Sequence, residues 1–455
     1  MVFVRLCGGD PPARAAAPPR LLLLRPAAAL PPPLPAAAPT APRAFARSTM
    51  PRVVATFAAC VAAAAALSPW PMRQGNSQGT GQSTASGPTS SAKTLRCSGA
   101  PSTDAPAVGA DGTLYQPSTN GALFAISTSD GSPLWTFTPK SGSAATQGQT
   151  PALSTDGTAV FYAADAIYSF DAESGAINWS WNATLSTNNF GALLRGKDDA
   201  LFAVITGQAL VAFDGATGAV NWTQIGAFAD IALSPDGTMI YAVVSDVNGG
   251  GSMAGIDAAS GTVQWKPSIN TVNAPLVSAK GQLVLSSSTC FSSNKLVNGI
   301  NMTLFDPSTL TTVWNTCVLS TDTTYPCQAG YYIQFSAPTL VMGSTLVMTW
   351  VCSNYPGNSL VAGGITGVSM VSGMKVWATP GLFVASATSG LPSPIAGADS
   401  TVYTSNSSGT VFGINSGTGA AIWSIPTSNV NTPPFAAIAG SKRLALGNCL
   451  YAEGV

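Results

Sequence analysis

The nine residues ESGAINWSW, Glu173–Trp181, place a glycine four positions before a tryptophan. The same arrangement recurs along the chain. GATGAVNW ends at Trp222, AASGTVQW at Trp265, VSGMKVW at Trp377 and GTGAAIW at Trp423. Aligned on Trp135, Trp179, Trp222, Trp265, Trp314, Trp377 and Trp423, the successive spacings are 44, 43, 43, 49, 63 and 46 residues. Gly131, Gly175, Gly218, Gly261, Gly373 and Gly419 hold the position four before the tryptophan, and Leu310 is the exception. Asp171, Asp214, Asp257 and Asp306 stand eight before it, where Ser127, Ser369 and Asn415 stand in the other copies.

One unit, residues 150–181, shows what the repeat builds. TPALS is followed by a DG turn, TAVFYAA, AIYSFD, an ESG turn and AINWSW. Short runs rich in Val, Ile, Tyr and Phe, broken by glycine turns, read as four antiparallel strands. No run after residue 68 has the length and period of a helix. Four strands about every 43 residues predict an all-β chain folded as a β-propeller. Residues 94–455 hold seven complete units and the start of another: PPFAAIAG, RLALG and CLYAEG. The missing outer strand is expected from TLRC, Thr94–Cys97, with Leu95 in the tryptophan slot. The two ends of the chain would then share the last blade and close the ring, leaving no free sheet edge. This is an eight-bladed propeller; a seven-bladed one with overhanging terminal strands is the alternative.

Each glycine falls in the turn between the third and fourth strands, where a positive φ is open to it. Each tryptophan lies on the outermost strand. Its ring can cover the edge of the neighbouring blade, and its indole N–H needs an acceptor there. The tryptophans and glycines are therefore structural. The rival reading, rings that stack sugars or bases, asks a ligand to use seven copies at blade spacing.

Upstream of the propeller the composition changes. Residues 1–49 are Ala, Pro and Arg with one acid, Asp10. Such a segment buries no core and reads as disordered or transit-like. Residues 50–70 carry a basic start and the apolar run VVATFAACVAAAAAL, a signal-peptide pattern too short for a membrane span. Met50 is then either the start of a secreted chain, or the segment before it is a transit peptide ahead of a thylakoid export signal. Residues 71–93 are rich in Gly, Ser, Thr and Gln and read as a flexible linker. No transmembrane anchor is expected in the mature form.

The net charge of zero hides an asymmetry: residues 96–455 hold 10 basic and 18 acidic groups, a net of −8. An acidic domain without basic clusters is a poor nucleic-acid binder. The chain has no histidine, which removes the commonest general base and metal ligand.

The units ALFAVITGQALVAFDGATGAVNW, residues 200–222, and VYTSNSSGTVFGINSGTGAAIW, residues 402–423, carry a family signature. The repeat resembles the tryptophan-docking motif of the quinoprotein-like propellers, over residues 94–455. That superfamily contains alcohol and glucose dehydrogenases dependent on pyrroloquinoline quinone (PQQ). It also contains non-enzymatic members such as the outer-membrane assembly lipoproteins, which this chain resembles more in style. The resemblance implies an adjacent Cys-Cys ring, a calcium site with glutamate and an acid–base residue in the enzymes. Here no two cysteines adjoin and no CxxCH exists. The propeller's two glutamates are Glu173, in a turn, and Glu453, close to the C-terminal end. No catalytic, cofactor-binding or metal residue is assigned. PQQ with calcium belongs only to the alternative reading.

Strands alternate in direction, so the A–B and C–D turns share one face of the ring. The B–C and D–A loops share the other. The first set is short and uniform. The second contains three long members in successive blades: residues 288–299, 317–335 and 352–364. Long loops on a rigid scaffold are where binding resides. They carry Phe291, Tyr325, Tyr331, Tyr332 and Tyr355 as candidate contacts to a protein or glycan; packing of the insertions is the other use of these rings. Six cysteines follow the linker, an even count that reads as disulfides behind a signal peptide. The strand scheme pairs Cys97 with Cys449 across the ring closure. For the others the expected pairs are Cys317–Cys327 and Cys290–Cys352. Zinc is disfavoured because no CxxC exists. Asn178, Asn182, Asn221, Asn301 and Asn406 begin Asn-x-Ser/Thr triplets, with access in doubt at Asn178 and Asn221 beside the docking tryptophans. The expectation is a secreted or lumenal, monomeric, non-catalytic propeller that binds its partner through the B–C/D–A face of blades 5 and 6. The alternative is a divergent PQQ-dependent alcohol or sugar dehydrogenase.

Overall fold

In the computed structural model every repeat forms one antiparallel sheet, and there are eight such sheets, seven of four strands and one, blade 6, of five. The described residues are 68–90, 93–97, 104–140, 149–183, 189–245, 251–267, 269–292, 295–320, 327, 331–354, 360–381, 391, 393–406, 410–426, 436–440, 442–446 and 449–453. The reading of residues 1–49, and all but the last three residues of the signal-like segment 50–70, lie outside them.

Blade 2 is typical, with strands A to D at Ala152–Leu153, Ala159–Ala163, Ile167–Asp171 and Ile177–Trp181. The two middle strands are buried nearly throughout, so they read as continuous apolar runs. The D strand alternates toward solvent and is the outer edge. Ala209–Asp214 and Val220–Ile225, strands C and D of blade 3, repeat this contrast. Helical structure among the described residues amounts to two three-residue turns, Arg73–Gly75 and Lys197–Asp199.

Ring closure follows the expected strand sharing. Lys93–Cys97 pairs antiparallel with Cys449–Ala452, so the eighth sheet takes three strands from the C-terminal end and its outer strand from the N-terminal side. Cys97 stands opposite Cys449 in register, and Cys449 is disulfide-bonded.

Of the segment that composition assigns to a flexible linker, the described residues 71–90 lie against the ring. Residues 70–86 form a strap that travels once around the ring on the A–B face, touching the innermost strands in blade order. The backbone N–H groups of Val108, Leu153, Leu233, Val277, Leu340 and Ala396 donate to the carbonyls of Trp70, Pro71, Ser77, Gln78, Thr80 and Gly81, at 2.7–2.9 Å. Those donors belong to blades 1, 2, 4, 5, 6 and 7. Lys442 of blade 8 donates to Ser86 O at 3.3 Å. Arg73 Nη1 meets Asp230 Oδ1 at 2.6 Å, and Trp70 and Met72 are buried. The composition misleads because main-chain carbonyls do the binding, and they are the same in any sequence. Gly, Ser and Thr let the chain lie close to the strand ends. Gly81 shows the fit: a Cβ there would lie within 3 Å of the Thr339 side chain, and its φ is +67°.

Candidate functional site

The docking tryptophans join neighbouring blades. Trp135, Trp179, Trp222, Trp314 and Trp377 donate through Nε1 to the carbonyls of Ala172, Gly215, Ala258, Met370 and Ser416, each in the C–D turn of the next blade, at 2.8–3.0 Å. Each ring lies on the turn glycine of that blade. A Cβ on Gly175 would come within 2.6 Å of Trp135, and one on Gly218 within 2.6 Å of Trp179. The glycine is thus required twice, for its positive φ of 71–72° and for the ring laid on it. The turn aspartate shapes the same loop. Asp171 Oδ1 accepts from Ser174 N and Oγ at 2.8 and 2.6 Å, and those bonds, the hydroxyl's first, hold its pKa below the usual carboxylate range.

Two of the seven docking tryptophans depart from this rule. Blade 8 has no C–D turn, because its D strand comes from the other end of the chain. Trp423, in blade 7, is buried, and its indole N–H has no acceptor among the described residues. Blade 5 has Leu310 where the others have glycine, and Leu310 keeps a left-handed φ of 55°. There Trp265 stands edge-on to Phe305 at 61°, whereas Trp179 lies over Phe213 at 21°. A cleft of about 640 Å³ opens beside Trp265, lined by Tyr241, Lys280 and Asp306. Burial, helped by Asp236 and Asp306, pushes the Tyr241 hydroxyl up to about 12.

On the opposite face, blades 5 and 6 stand above the others. The segments expected as loops are largely extended β-hairpins. Leu283–Ser292 pairs with Lys295–Asp306 in blade 5, and Thr345–Asn354 with Leu360–Ser369 in blade 6. Thr311–Ser320 lengthens the D strand of blade 5, and Tyr331–Phe335 adds a strand to blade 6. The hairpin strands and Thr311–Ser320 run to 10 or 12 residues, against 5 in blade 2.

The disulfides correct the expected pairing. Cys290 bonds Cys317 with Cα atoms 5.3 Å apart, and Cys327 bonds Cys352 at 5.8 Å. Cys290 is on strand B and Cys317 on strand D of one blade, so the first bridge passes over strand C. Gly299 makes room for it, since a Cβ there would fall 2.6 Å from Cys290 Sγ. A free loop over residues 288–299 would keep these cysteines apart; the continued strands bring 290 and 317 together. The second bridge ties the D–A segment to strand B of blade 6.

Of the five aromatic candidates, Tyr325 and Tyr355 lie outside the described residues. The side chains of Phe291 and Tyr331 do too. Tyr332 is exposed on the strand added to blade 6. Asn178 and Asn221 are exposed beside their tryptophans, whereas Asn406 is buried and its Oδ1 accepts from Thr410 N at 2.8 Å.

The donor set does not fit calcium and PQQ as the superfamily's enzymes hold them. Glu173 is exposed in the C–D turn of blade 2. Glu453 is engaged by Thr89, Ser90 and Lys442 just beyond the end of the strap. Among the described residues no three His, Cys, Asp or Glu side chains are grouped as metal ligands. The paired Asp198 and Asp199 sit in an A–B turn, where Asp199 accepts from Thr155 N and Oγ1.

The profile of the family described as outer membrane protein assembly factor BamB matches residues 75–189 and 143–354, together more than half of the chain. The chain belongs to that family of PQQ-like β-propellers. Solved structures of similar fold include BamB from Moraxella catarrhalis, 14% identical, with a TM-score of 0.54 over 80% of this chain and 98% of that one. They also include the quinohemoprotein alcohol dehydrogenase from Comamonas testosteroni, 12% identical, TM-score 0.56, covering 86% of this chain and 78% of that one. A europium-containing methanol dehydrogenase is 13% identical, TM-score 0.55, over 83% and 88%. No curated protein matches significantly. At these identities the solved structures establish the fold, which dehydrogenases and BamB share.

Proposed function

We propose that the chain is a non-catalytic binding propeller of a secretory or lumenal compartment, acting as a monomer. It engages a protein or glycan partner through the B–C/D–A face of blades 5 and 6. The observation that carries this reading is the pair of elongated hairpins in adjacent blades, tied down by two disulfides. A rigid scaffold elsewhere keeps its connections short, so length and covalent bracing at one sector mark a surface held in shape for contact. The family's description as an assembly factor supports a scaffolding role. The disulfides support an oxidising compartment, and among the described residues no helix is long and apolar enough to cross a membrane.

The test places a photo-crosslinking residue at Tyr332 and, as a control, at Ile177 on the rim of blade 2. Partner crosslinks confined to the Tyr332 site, with binding of the purified partner weakened at least tenfold by Tyr332→Ser, support the reading. Equal crosslinking from both positions would remove the assignment of the face. Titration of the calcium-loaded protein with PQQ addresses the alternative. A stoichiometric bound-quinone absorption band would make the chain a divergent dehydrogenase.

A further inference from the structure

On the opposite face of the ring, the turns follow a charge pattern that breaks in one sector. The A–B turns carry Asp111, Asp156, Asp198, Asp199, Asp236 and Asp399, and the C–D turns Asp130, Asp171, Asp214, Asp257 and Asp306. Blade 6 alone, among the seven blades with both turns, has no acid in either. Met342 takes the A–B turn, and Val371 and Met374 the C–D turn, exposed by 62%, 81% and 68%. Blade 5 beside it carries Lys280 where blades 2 and 4 carry Asp156 and Asp236.

A cavity of about 810 Å³ opens at this sector, between the strap and blades 5 and 6. Leu304, Val313, Met342 and Val371 wall it, Thr80 and Gln82 of the strap contribute polar atoms, and Lys280 is the one charged residue lining it among the described residues. The volume, and a wall more apolar than polar that also holds side-chain hydroxyls and amides, are those of a small-molecule site. Met342 sharpens the point. It holds a φ of 49°, in the left-handed region that a long side chain enters at a cost, and it does so while exposed. A turn glycine or asparagine would avoid that strain. A thioether at the mouth instead offers an adaptable apolar contact.

We propose that this cavity binds a small amphipathic monoanion, its apolar body against Met342, Val371 and Val313 and its anionic head at Lys280. Aspartates in the turns of blades 1 to 4 and 7 disfavour an anion there, and Lys280 is the charge that lines the cavity, so its position sets the orientation. The proposal is independent of the partner-binding reading, which concerns the other face.

Anilinonaphthalene sulfonate serves as the anionic probe, and phenylnaphthylamine as its uncharged counterpart. Binding to the full chain is followed by fluorescence, with circular dichroism confirming an unchanged fold in each variant. One saturable sulfonate site per chain is expected. Lys280→Gln weakens the sulfonate about three- to fivefold, the range for a solvent-exposed charge pair, and leaves the neutral probe unchanged. Lys197→Gln, a turn lysine in blade 3, changes neither. Met342→Asp weakens both probes by at least about tenfold, because it puts an unpaired charge against an apolar wall. The proposal is overturned by any of three results: no saturable binding, an equal response to Lys280→Gln and Lys197→Gln, or concentration-dependent dimers that the probes dissolve, which would make a second copy the occupant.

Discussion

Blade 3 contains an internal control for the docking contact. Gly207 and Gly218 share a φ of 72°, but they differ in what surrounds them. A Cβ on Gly207 meets nothing within 4 Å, whereas one on Gly218 lies 2.6 Å from the Trp179 ring. Substitution by alanine therefore separates backbone strain from loss of the seat. Gly207→Ala carries the left-handed penalty alone, about 1–2 kcal/mol. Gly218→Ala carries the same penalty and forces the indole off its turn. Overpacking of a rigid contact adds about 1–3 kcal/mol, and stretching the 2.8 Å bond from Trp179 Nε1 to Gly215 O adds about 0.5–1.5 kcal/mol. The expected difference between the two variants is about 2–4 kcal/mol. Equilibrium urea unfolding, read by tryptophan fluorescence, measures it as a shift in midpoint at unchanged slope. Destabilisation equal to within about 0.5 kcal/mol, the scatter of surface substitutions, would refute the claim that these rings hold the blades together.

Other expectations follow from the same geometry. Leu310→Gly relieves a left-handed leucine at the exceptional junction and stabilises the protein by up to about 1 kcal/mol, measured in the same unfolding experiment. Trp70→Ala, in the buried strap, costs about 3–5 kcal/mol, and trypsin cuts the variant at Arg73 faster than it cuts the parent. Glu453 accepts from Ser90 Oγ and from Thr89 N and Oγ1, which with Lys442 holds its carboxyl down at about 2. Because the folded value lies below the unfolded one, the unfolded chain takes up the proton first. The stability difference between the parent and Glu453→Gln is therefore complete above pH 4.5 and disappears as the pH falls to about 2. Non-reduced peptide mapping should return Cys290 with Cys317 and Cys327 with Cys352; Cys317 with Cys327 would contradict the crossed strands.

Family membership leaves chemistry open, since one propeller serves dehydrogenases and an assembly factor alike. What separates them is the donor set, and here the two glutamates of the propeller are engaged or misplaced for a calcium site. The distinguishing features of this chain are instead at blades 5 and 6, on both faces. One face carries braced hairpins, and the other carries the break in the acidic ring.

The repeat of glycine and tryptophan determined the blade and its outer strand, because each is a local consequence of turn chemistry and strand alternation. The eighth blade and the ring closure were legible too, since TLRC supplies the one strand that PPFAAIAG, RLALG and CLYAEG lack. The disulfide partners were not legible. Cys290 and Cys317 meet only because two strands continue past their expected ends and Gly299 lets a bridge cross between them. The strap was hidden for a deeper reason. Its bonds run through main-chain carbonyls, which leave no mark on residue type, so a Gly/Ser stretch that lies free and one that encircles an axis read alike. The cavity at Met342 and Lys280 likewise joins residues far apart in the chain, brought together by ring geometry that only the folded molecule sets.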